Sequence, residues 1–368
     1  MFKPVLITAL VAFLLVSCSS GKNAYQSGNY YQAVMDAVDR LRSSPDNKKA
    51  REVLDLSYPL AVDYIETEIK NQMLSMTPNR WQQAVHGYNQ INAMYESIRR
   101  CPAALQVIPS PQSRFRELAD SKQMAAEELY RAGLEFMQHG TRQDYKQAYF
   151  RFRDAIEMVP NYRDAVQQAD QARFNATLWV VVEPVLLNPT GWNFEPIIFG
   201  FRGNDFVRFI SQDQAMKEGF KNIDQYLSLA VGGYQQSIPS ISRQIEERFD
   251  SVKTGERKSG NKTVPVKMLV KAKVTTYEKT IQAVGGLKLV IFDGVSKAQV
   301  ADYDINSSQV WKEQWATFNG DERALTPEIR ALCERYESEP PVQVLRNNVR
   351  QDLEHKLAAL LTDIYRQF

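Results

Sequence analysis

The sequence predicts a multidomain protein in which all-α helical repeats precede an α+β domain, a sheet with packed helices. An alanine and proline pattern recurs at matched spacing within residues 24–172, which is typical of repeated helical hairpins. From residue 264 onward, apolar and polar residues alternate, which is typical of strands with one buried face. The change of pattern near Arg173 predicts domains at residues 18–173 and 174–368, after a signal peptide at residues 1–17.

The overall composition excludes several classes of function. The 45 basic and 43 acidic residues give a net charge of +2, whereas nucleic-acid binding usually needs a clearly basic face. The three cysteines, Cys18, Cys101 and Cys333, form no C-x-x-C pair and no Cys/His cluster of metal-site spacing. We therefore expect no metal, no cofactor, no nucleic-acid partner and no small-molecule substrate. Because Cys101 and Cys333 fall in different predicted domains, we also expect two unpaired thiols.

The N-terminus combines a short basic start with an apolar run at residues 5–16. The run is too short to span a bilayer, which takes ~20 residues, but it has the length of a signal-peptide core. The following Leu15-Val16-Ser17-Cys18 resembles the lipobox of bacterial lipoproteins, which implies acylation of Cys18 as the first mature residue. The alternative is an ordinary signal peptide with an incidental cysteine.

Residues after the cysteine bear on the location. Ser19 stands where an aspartate would, in the enterobacterial sorting rule, retain a lipoprotein in the inner membrane, so we expect the outer membrane. The segment Ser19-Ser20-Gly21-Lys22 lacks an acidic run that would resemble a surface-export signal. We therefore expect a lipid-anchored protein facing the periplasm, with the cell surface as the alternative side.

Two segments share one pattern, "GNYYQAVMDAVDRLRSSPDNKKA" at 28–50 and "DYKQAYFRFRDAIEMVPNYRDA" at 144–165. The distance from Ala33 to Pro45 equals that from Ala148 to Pro160, and a further alanine follows each proline. The pattern resembles the tetratricopeptide repeat. The copy at residues 129–161 matches the family's packing positions at Leu129, Ala132, Gly133, Phe136, Gly140, Tyr145, Ala148, Phe152, Ala155 and Pro160. A three-residue insertion at 141–143 lengthens its turn, and a middle copy around Trp81, Ala84 and Tyr88 is degenerate.

Arrays of this family present a concave face to partner proteins. The resemblance implies that Glu127, Tyr130, Leu134 and Met137 lie on that face, although Leu134 and Met137 could equally belong to the core. In the first copy Gly28 would be the turn between helices, so only a stub of the preceding helix remains after the signal peptide is removed. The array therefore starts almost at the membrane surface.

The elements of the second domain follow from its apolar patterns. We predict strands at residues 177–187 and 225–233, a helix at 240–249, a polar loop at 250–263 and a long strand at 264–276. A strand pair at 285–294 and 297–305 turns through Asp293-Gly294. A final helix from residue 340 carries an apolar stripe of Val349, Leu353, Leu357, Leu360 and Ile364. The order is similar to that in curli secretion-channel lipoproteins and in lipoprotein activators of peptidoglycan synthases.

Trp311 and Trp315 share a face in a strand or, with Phe318, in a helix. They predict either core packing or a surface that binds a partner protein or a glycan. The histidines His86, His139 and His355 have no ligand-type spacing, and nucleophile, zinc-protease and phosphate-loop motifs are missing from the sequence. We therefore do not expect an enzyme.

The sequence supports three hypotheses of function. The first is a non-catalytic envelope protein that scaffolds or recruits partners for an outer-membrane assembly or secretion complex through protein–protein interaction. The second is an oligomeric secretion-pore subunit. The third is a glycan-binding or hydrolytic envelope protein, which would need Trp311 and Trp315 exposed beside carboxylates such as Asp321.

Overall fold

The computed structural model describes residues 20–185, 188–220, 223–259, 262–338 and 342–368. The chain divides into two compact units, one ending at Ala176 and one comprising Thr177–Phe368. Helices dominate the first unit and a mixed sheet packed with helices forms the second, so the predicted fold class is confirmed. The predicted signal peptide and Cys18 lie outside the described residues.

The helical unit consists of eight described helices. They are α1 (Lys22–Gln26), α2 (Tyr30–Ser43), α3 (Lys48–Ser75), α4 (Arg80–Arg99), α5 (Pro102–Val107), α6 (Phe115–His139), α7 (Arg142–Met158) and α8 (Ala165–Ala176). Consecutive long helices pack against one another, as in α2 with α3, α6 with α7, and α7 with α8. Their apolar faces form two clusters of buried residues within this unit.

The repeated alanines and prolines occupy equivalent structural positions. Ala33 in α2 and Ala148 in α7 are fully buried. Pro45 lies two residues after the end of α2, and Pro160 lies two residues after the end of α7. At both places the chain turns into the next helix. The matched spacing in the sequence therefore corresponds to two helix pairs built in the same way.

Helices α6 and α7 approach so closely that one position accepts only glycine. A Cβ on Gly133 would lie 2.6 Å from Cε1 of Phe152, whose side chain is fully buried. The predicted insertion at residues 141–143 forms the start of α7, which begins at Arg142. Thr141 caps this helix, because its side chain accepts a hydrogen bond of 3.2 Å from the Asp144 N–H.

The second unit contains seven strands and four described α-helices. In chain order they are β1 (Leu178–Val182), α9 (Glu195–Phe199), β2 (Val207–Ser211), α10 (Gln212–Lys217), β3 (Gln225–Val231), β4 (Gln235–Gln236), β5 (Ser240–Ser259), β6 (Lys262–Asp293), β7 (Gln299–Gly320), a 3₁₀ turn (Glu322–Ala324), α11 (Pro327–Cys333) and α12 (Val342–Tyr365). Strand β1 lies parallel between β2 and β3.

Strand β6 is the centre of the sheet. Its 32 residues pair antiparallel with β3, β4 and β5 in succession along one edge and with β7 along the other. The predicted strands at 264–276 and 285–294 are thus parts of one continuous strand. The predicted turn at Asp293-Gly294 is confirmed, since β6 ends there and β7 follows.

The two halves of β6 bury opposite faces. Odd-numbered residues from Ile281 to Ile291 pack under α12 in the main core of this unit. Even-numbered Val270, Ala272 and Val274 instead pack against the 3₁₀ turn and α11. Successive side chains of a strand alternate between the two faces of the sheet. The change from odd to even buried positions therefore means that α12 covers one face at one end of β6, whereas the 3₁₀ turn and α11 cover the opposite face at its other end.

The predicted helix at 240–249 and the predicted loop at 250–263 are wrong. Residues 240–259 form β5, which pairs with β6 over nearly its whole length, and the chain returns as β6 from Lys262. The spacing of four between Ile241, Ile245 and Phe249 fits one face of a helix, but it also fits one face of a strand. Pairing with β6 over nearly its whole length makes the segment a strand.

Helix α12 covers the main core with one buried stripe. Its fully or nearly buried residues are Leu345, Val349, Leu353, Leu357, Leu361 and Tyr365. The predicted helix is confirmed from Val342 onward, while the predicted stripe residues Leu360 and Ile364 are only partly buried. Each step of four residues turns the buried face about 40° around the helix, so at the end of α12 that face includes Leu361 and Tyr365 and not the two predicted positions.

Candidate partner-binding surfaces

Glu127 and Tyr130, predicted on the concave face, belong to a polar network within the helical unit. The Tyr130 side chain is only 7% exposed, and its hydroxyl donates a hydrogen bond to Asp164. The Tyr162 hydroxyl donates to Glu127, whose carboxylate also lies 2.6 Å from the Arg163 guanidinium. The network ties α6 to the segment between α7 and α8.

The pKa shifts agree with that geometry. The hydrogen bond to Asp164 raises the pKa of the Tyr130 phenol, and the hydrogen bond from Tyr162 lowers the pKa of the Glu127 carboxyl. Both groups therefore keep their bonded forms, a neutral phenol and a charged carboxylate, at neutral pH. In the same segment Asn161 and Arg163 have positive φ values of 58° and 47°, a conformation that is uncommon for arginine.

Leu134 and Met137 are partly buried and pack against the apolar cluster of α6, α7 and α8. Together with the buried Tyr130, they leave little apolar surface on this face of α6. Partner binding by Glu127, Tyr130, Leu134 and Met137 stays a prediction, but Tyr130 at least has a packing role in the fold.

An exposed apolar surface lies instead on α3. Leu56, Leu60 and Tyr64 are 45%, 40% and 59% exposed and follow one another at spacings of four, so they share one face; we refer to them as the α3 stripe. The exposed carboxylates Asp55 and Asp63 flank it. Sequence reasoning missed this stripe, although the spacing of four was visible.

A shallow cleft between α3 and α4 opens beside the stripe. It is lined by Tyr64, Ile65, Glu68, Ile69, Gln72, Gln83, His86, Gly87 and Gln90. Gly87 allows the two helices to approach, since a Cβ there would lie 2.8 Å from Cδ1 of Ile69. The stripe and the cleft together form a surface with apolar, amide and acidic groups.

Trp311 and Trp315 lie on one face of β7, as predicted for a strand. Trp311 is partly buried and packs against the main core. Trp315 is half-buried and stacks on Tyr277 of β6, with ring centroids 5.3 Å apart and planes 11° apart. This cross-strand pair is a favourable aromatic contact within the sheet.

The segment before α12 is fastened to the same face of the sheet. Glu313 accepts hydrogen bonds from the N–H and hydroxyl of Ser338, at 2.9 and 2.7 Å, which hold the pKa of its carboxyl below the usual range. The buried Lys279 ammonium lies 2.7 Å from Glu337. Asp321 is bound by the Arg323 guanidinium at 2.6 Å, which lowers its pKa to about 2. The carboxylates of Glu313, Glu337 and Asp321 are thus bonded to neighbouring groups of the protein itself.

Within the described ranges, no cluster of three His, Cys, Asp or Glu residues is arranged to hold a metal ion. Cys101 is buried and Cys333 half-buried, and both are free thiols. Burial raises the pKa of the Cys333 thiol. In the part of the chain that the structure describes, no helix has the length and apolar character to cross a membrane.

No family model matches the chain, and a search of curated proteins found no match.

Proposed function

We propose that the protein is a lipid-anchored, non-catalytic envelope lipoprotein whose tetratricopeptide-like helical unit recruits or scaffolds partners for an outer-membrane assembly or secretion complex. The observation that carries this proposal is the α3 stripe, an apolar surface on a long helix of the array. Contiguous exposed apolar residues rimmed by polar groups are characteristic of protein interaction sites.

The packing of the α6 and α7 pair supports the repeat assignment. Gly133, Ala148, Phe152 and Ala155 are all buried where the two helices meet, and these are positions that the family resemblance assigns to packing. Repeats of this kind bury a core between neighbouring helices and present a concave face to partners. The α3 stripe is an exposed apolar face on one long helix of this array.

The start of the helical unit supports anchoring close to the membrane. Gly21 is buried only three residues after Cys18, and a Cβ there would lie 2.4 Å from the carbonyl oxygen of Ala33. Its φ of 78° also favours glycine. An acylated Cys18 would thus be joined to the packed helices by almost no linker, and the helical unit would be held near the lipid headgroups.

The chemistry of the stripe defines the partner that it fits. Leu56, Leu60 and Tyr64 offer apolar contacts along three helical turns, and Asp55 and Asp63 add negative charge beside them. An amphipathic segment of another envelope protein with basic residues next to its apolar face would complement both features.

A crosslinked pull-down from membranes tests this proposal. Leu56→Ser combined with Leu60→Ser should reduce partner capture at least about tenfold, because two apolar anchors of the interface are lost. Leu74→Ser is the matched control, since Leu74 lies on the same helix, is 74% exposed and is outside the stripe. Equal capture by the double variant and the control would refute the assignment of the α3 stripe.

A second candidate, an oligomeric secretion-pore subunit, is favoured by the long strand edges. Among the described strands, β5 and β7 each pair only with β6, so 20 and 22 residues respectively have one open edge. Such edges are templates for pairing with another chain. A size measurement in detergent separates the candidates, since a pore requires a ring of many copies and a recruiting scaffold does not.

A further inference from the structure

Beyond the end of β7, strands β5 and β6 continue as a two-stranded ribbon. Gly320, the last residue of β7, pairs with Ala272, so residues 249–259 and 262–271 have no third strand in the described structure; we call them the basic ribbon. At ~3.3 Å per residue, its ten-residue β6 arm extends about 33 Å. The base of the ribbon packs against the 3₁₀ turn and α11 through Val252 and Val270, but the residues beyond it have no such cover. An isolated two-stranded hairpin is only marginally stable in water, which favours a ribbon whose outer part rests on another surface.

Positive charge is concentrated on this ribbon. Its basic residues are Lys253, Arg257, Lys258, Lys262, Lys267 and Lys271, and its acidic residues are Asp250 and Glu256. Six cations minus two anions give the ribbon a net charge of +4, whereas the whole chain has a net charge of +2. The remainder of the chain therefore has a net charge of −2, so the positive charge of the protein is concentrated in the ribbon.

One face of the ribbon is mostly apolar, whereas the other carries Phe249 and Leu269 among four lysines. Strand pairing places Val264, Val266 and Met268 on the same face, where they are 48%, 44% and 45% exposed, and sets Val252 directly opposite Met268. Gly255 lies opposite Val266 and adds no side chain that would cover it. The apolar face is therefore contiguous across both strands.

The cations lie on both faces of the ribbon: Arg257 and Lys262 share the apolar face, and Lys253, Lys258, Lys267 and Lys271 lie on the opposite one. Arg257 pairs with Val264 and so points to the apolar side near the tip of the ribbon. On the other side, Lys253 and Lys267 lie directly opposite each other, an arrangement that is unfavourable for like charges unless anions are near. Glu256 bonds to Lys253, but the surplus of positive charge on the ribbon persists.

We propose that the basic ribbon docks on an anionic lipid surface. The apolar face enters the boundary between headgroups and acyl chains, Arg257 and Lys262 reach the phosphates beside it, and the lysines of the opposite face add attraction at longer range. Each basic side chain near an anionic membrane adds to the attraction, which salt weakens because the charges are exposed. The contact is independent of acylation at Cys18, so its failure would leave the anchor proposal standing.

Vesicle sedimentation of the chain from Ser20 to Phe368, which contains all the described helices and strands of both compact units, tests the proposal. We expect partition to equimolar phosphatidylcholine and phosphatidylglycerol vesicles but not to phosphatidylcholine alone. Arg257→Gln with Lys262→Gln should weaken partition about tenfold or more, and so should Val266→Ser with Met268→Ser. Raising the salt should weaken the binding of the unchanged chain.

Lys48→Gln with Lys49→Gln is the matched control for charge, because both lysines are exposed and lie on α3, far along the chain from the ribbon. It should partition like the unchanged chain, and circular dichroism should show the same fold for every variant. Equal binding to neutral and anionic vesicles, or no binding to either, would overturn the proposal. So would self-association without vesicles that both ribbon variants abolish, since the ribbon would then bind a second copy.

Discussion

Phe152→Ala should destabilise the helical unit by about 3–5 kcal/mol, one of the largest effects available in this chain. Phe152 is fully buried between α6 and α7, against Gly133 and Tyr130. Its removal leaves a cavity that the rigid helix pair cannot close. Phe150→Ala in the same helix is the control, because Phe150 is 49% exposed and should cost well under half as much.

Two spectroscopic signals can follow the unfolding of the two units separately. The helical unit contains a single tryptophan, Trp81, and the second unit contains four, Trp179, Trp192, Trp311 and Trp315. Urea unfolding followed by far-ultraviolet circular dichroism should show an early loss of helix in Phe152→Ala, while the tryptophan fluorescence transition stays in place. A matching shift of both transitions would contradict independent cores.

Leu353→Ala should destabilise the second unit by about 2–5 kcal/mol. Leu353 lies in the middle of the buried stripe of α12 and is fully buried in the core beneath that helix. The control is Val344→Ala, since Val344 is 54% exposed on the same helix. The tryptophan fluorescence transition should move to a lower urea concentration. Most of the circular dichroism signal, which comes from the helices of the first unit, should be unaffected. A small effect like that of the control would mean that α12 contributes little to this core.

Strong periodic patterns with one apolar face could be predicted from the sequence. The alanines and prolines of the repeat pairs mark positions where only small side chains or helix ends fit, and the stripe of α12 marks one covered face. Strand β5 could not be predicted, because Ile241, Ile245 and Phe249 satisfy the helical and the strand period equally well. Its pairing with β6 is a long-range contact that local sequence does not encode.

The candidate surfaces show the same limit. Tyr130 fits an exposed position of the repeat family, but Asp164 folds back onto its hydroxyl from the segment after α7. The α3 stripe was missed because α3 is apolar on more than one face, with Val53, Tyr58 and Ile65 buried beside Leu56 and Leu60. Which face is covered depends on the neighbouring helices, and their placement follows only from tertiary packing.

Membrane fractionation of Cys18→Ala tests the central claim, a lipid-anchored protein at the outer membrane, most directly. The apolar run before Cys18 is too short to span a bilayer, so stable outer-membrane attachment in this account depends on several acyl chains at Cys18. Mass analysis should show acylation of the unchanged protein and none of the variant, and the variant should leave the outer-membrane fraction in high salt. If Cys18→Ala still sediments with the outer membrane under those conditions, the lipid-anchor account is contradicted.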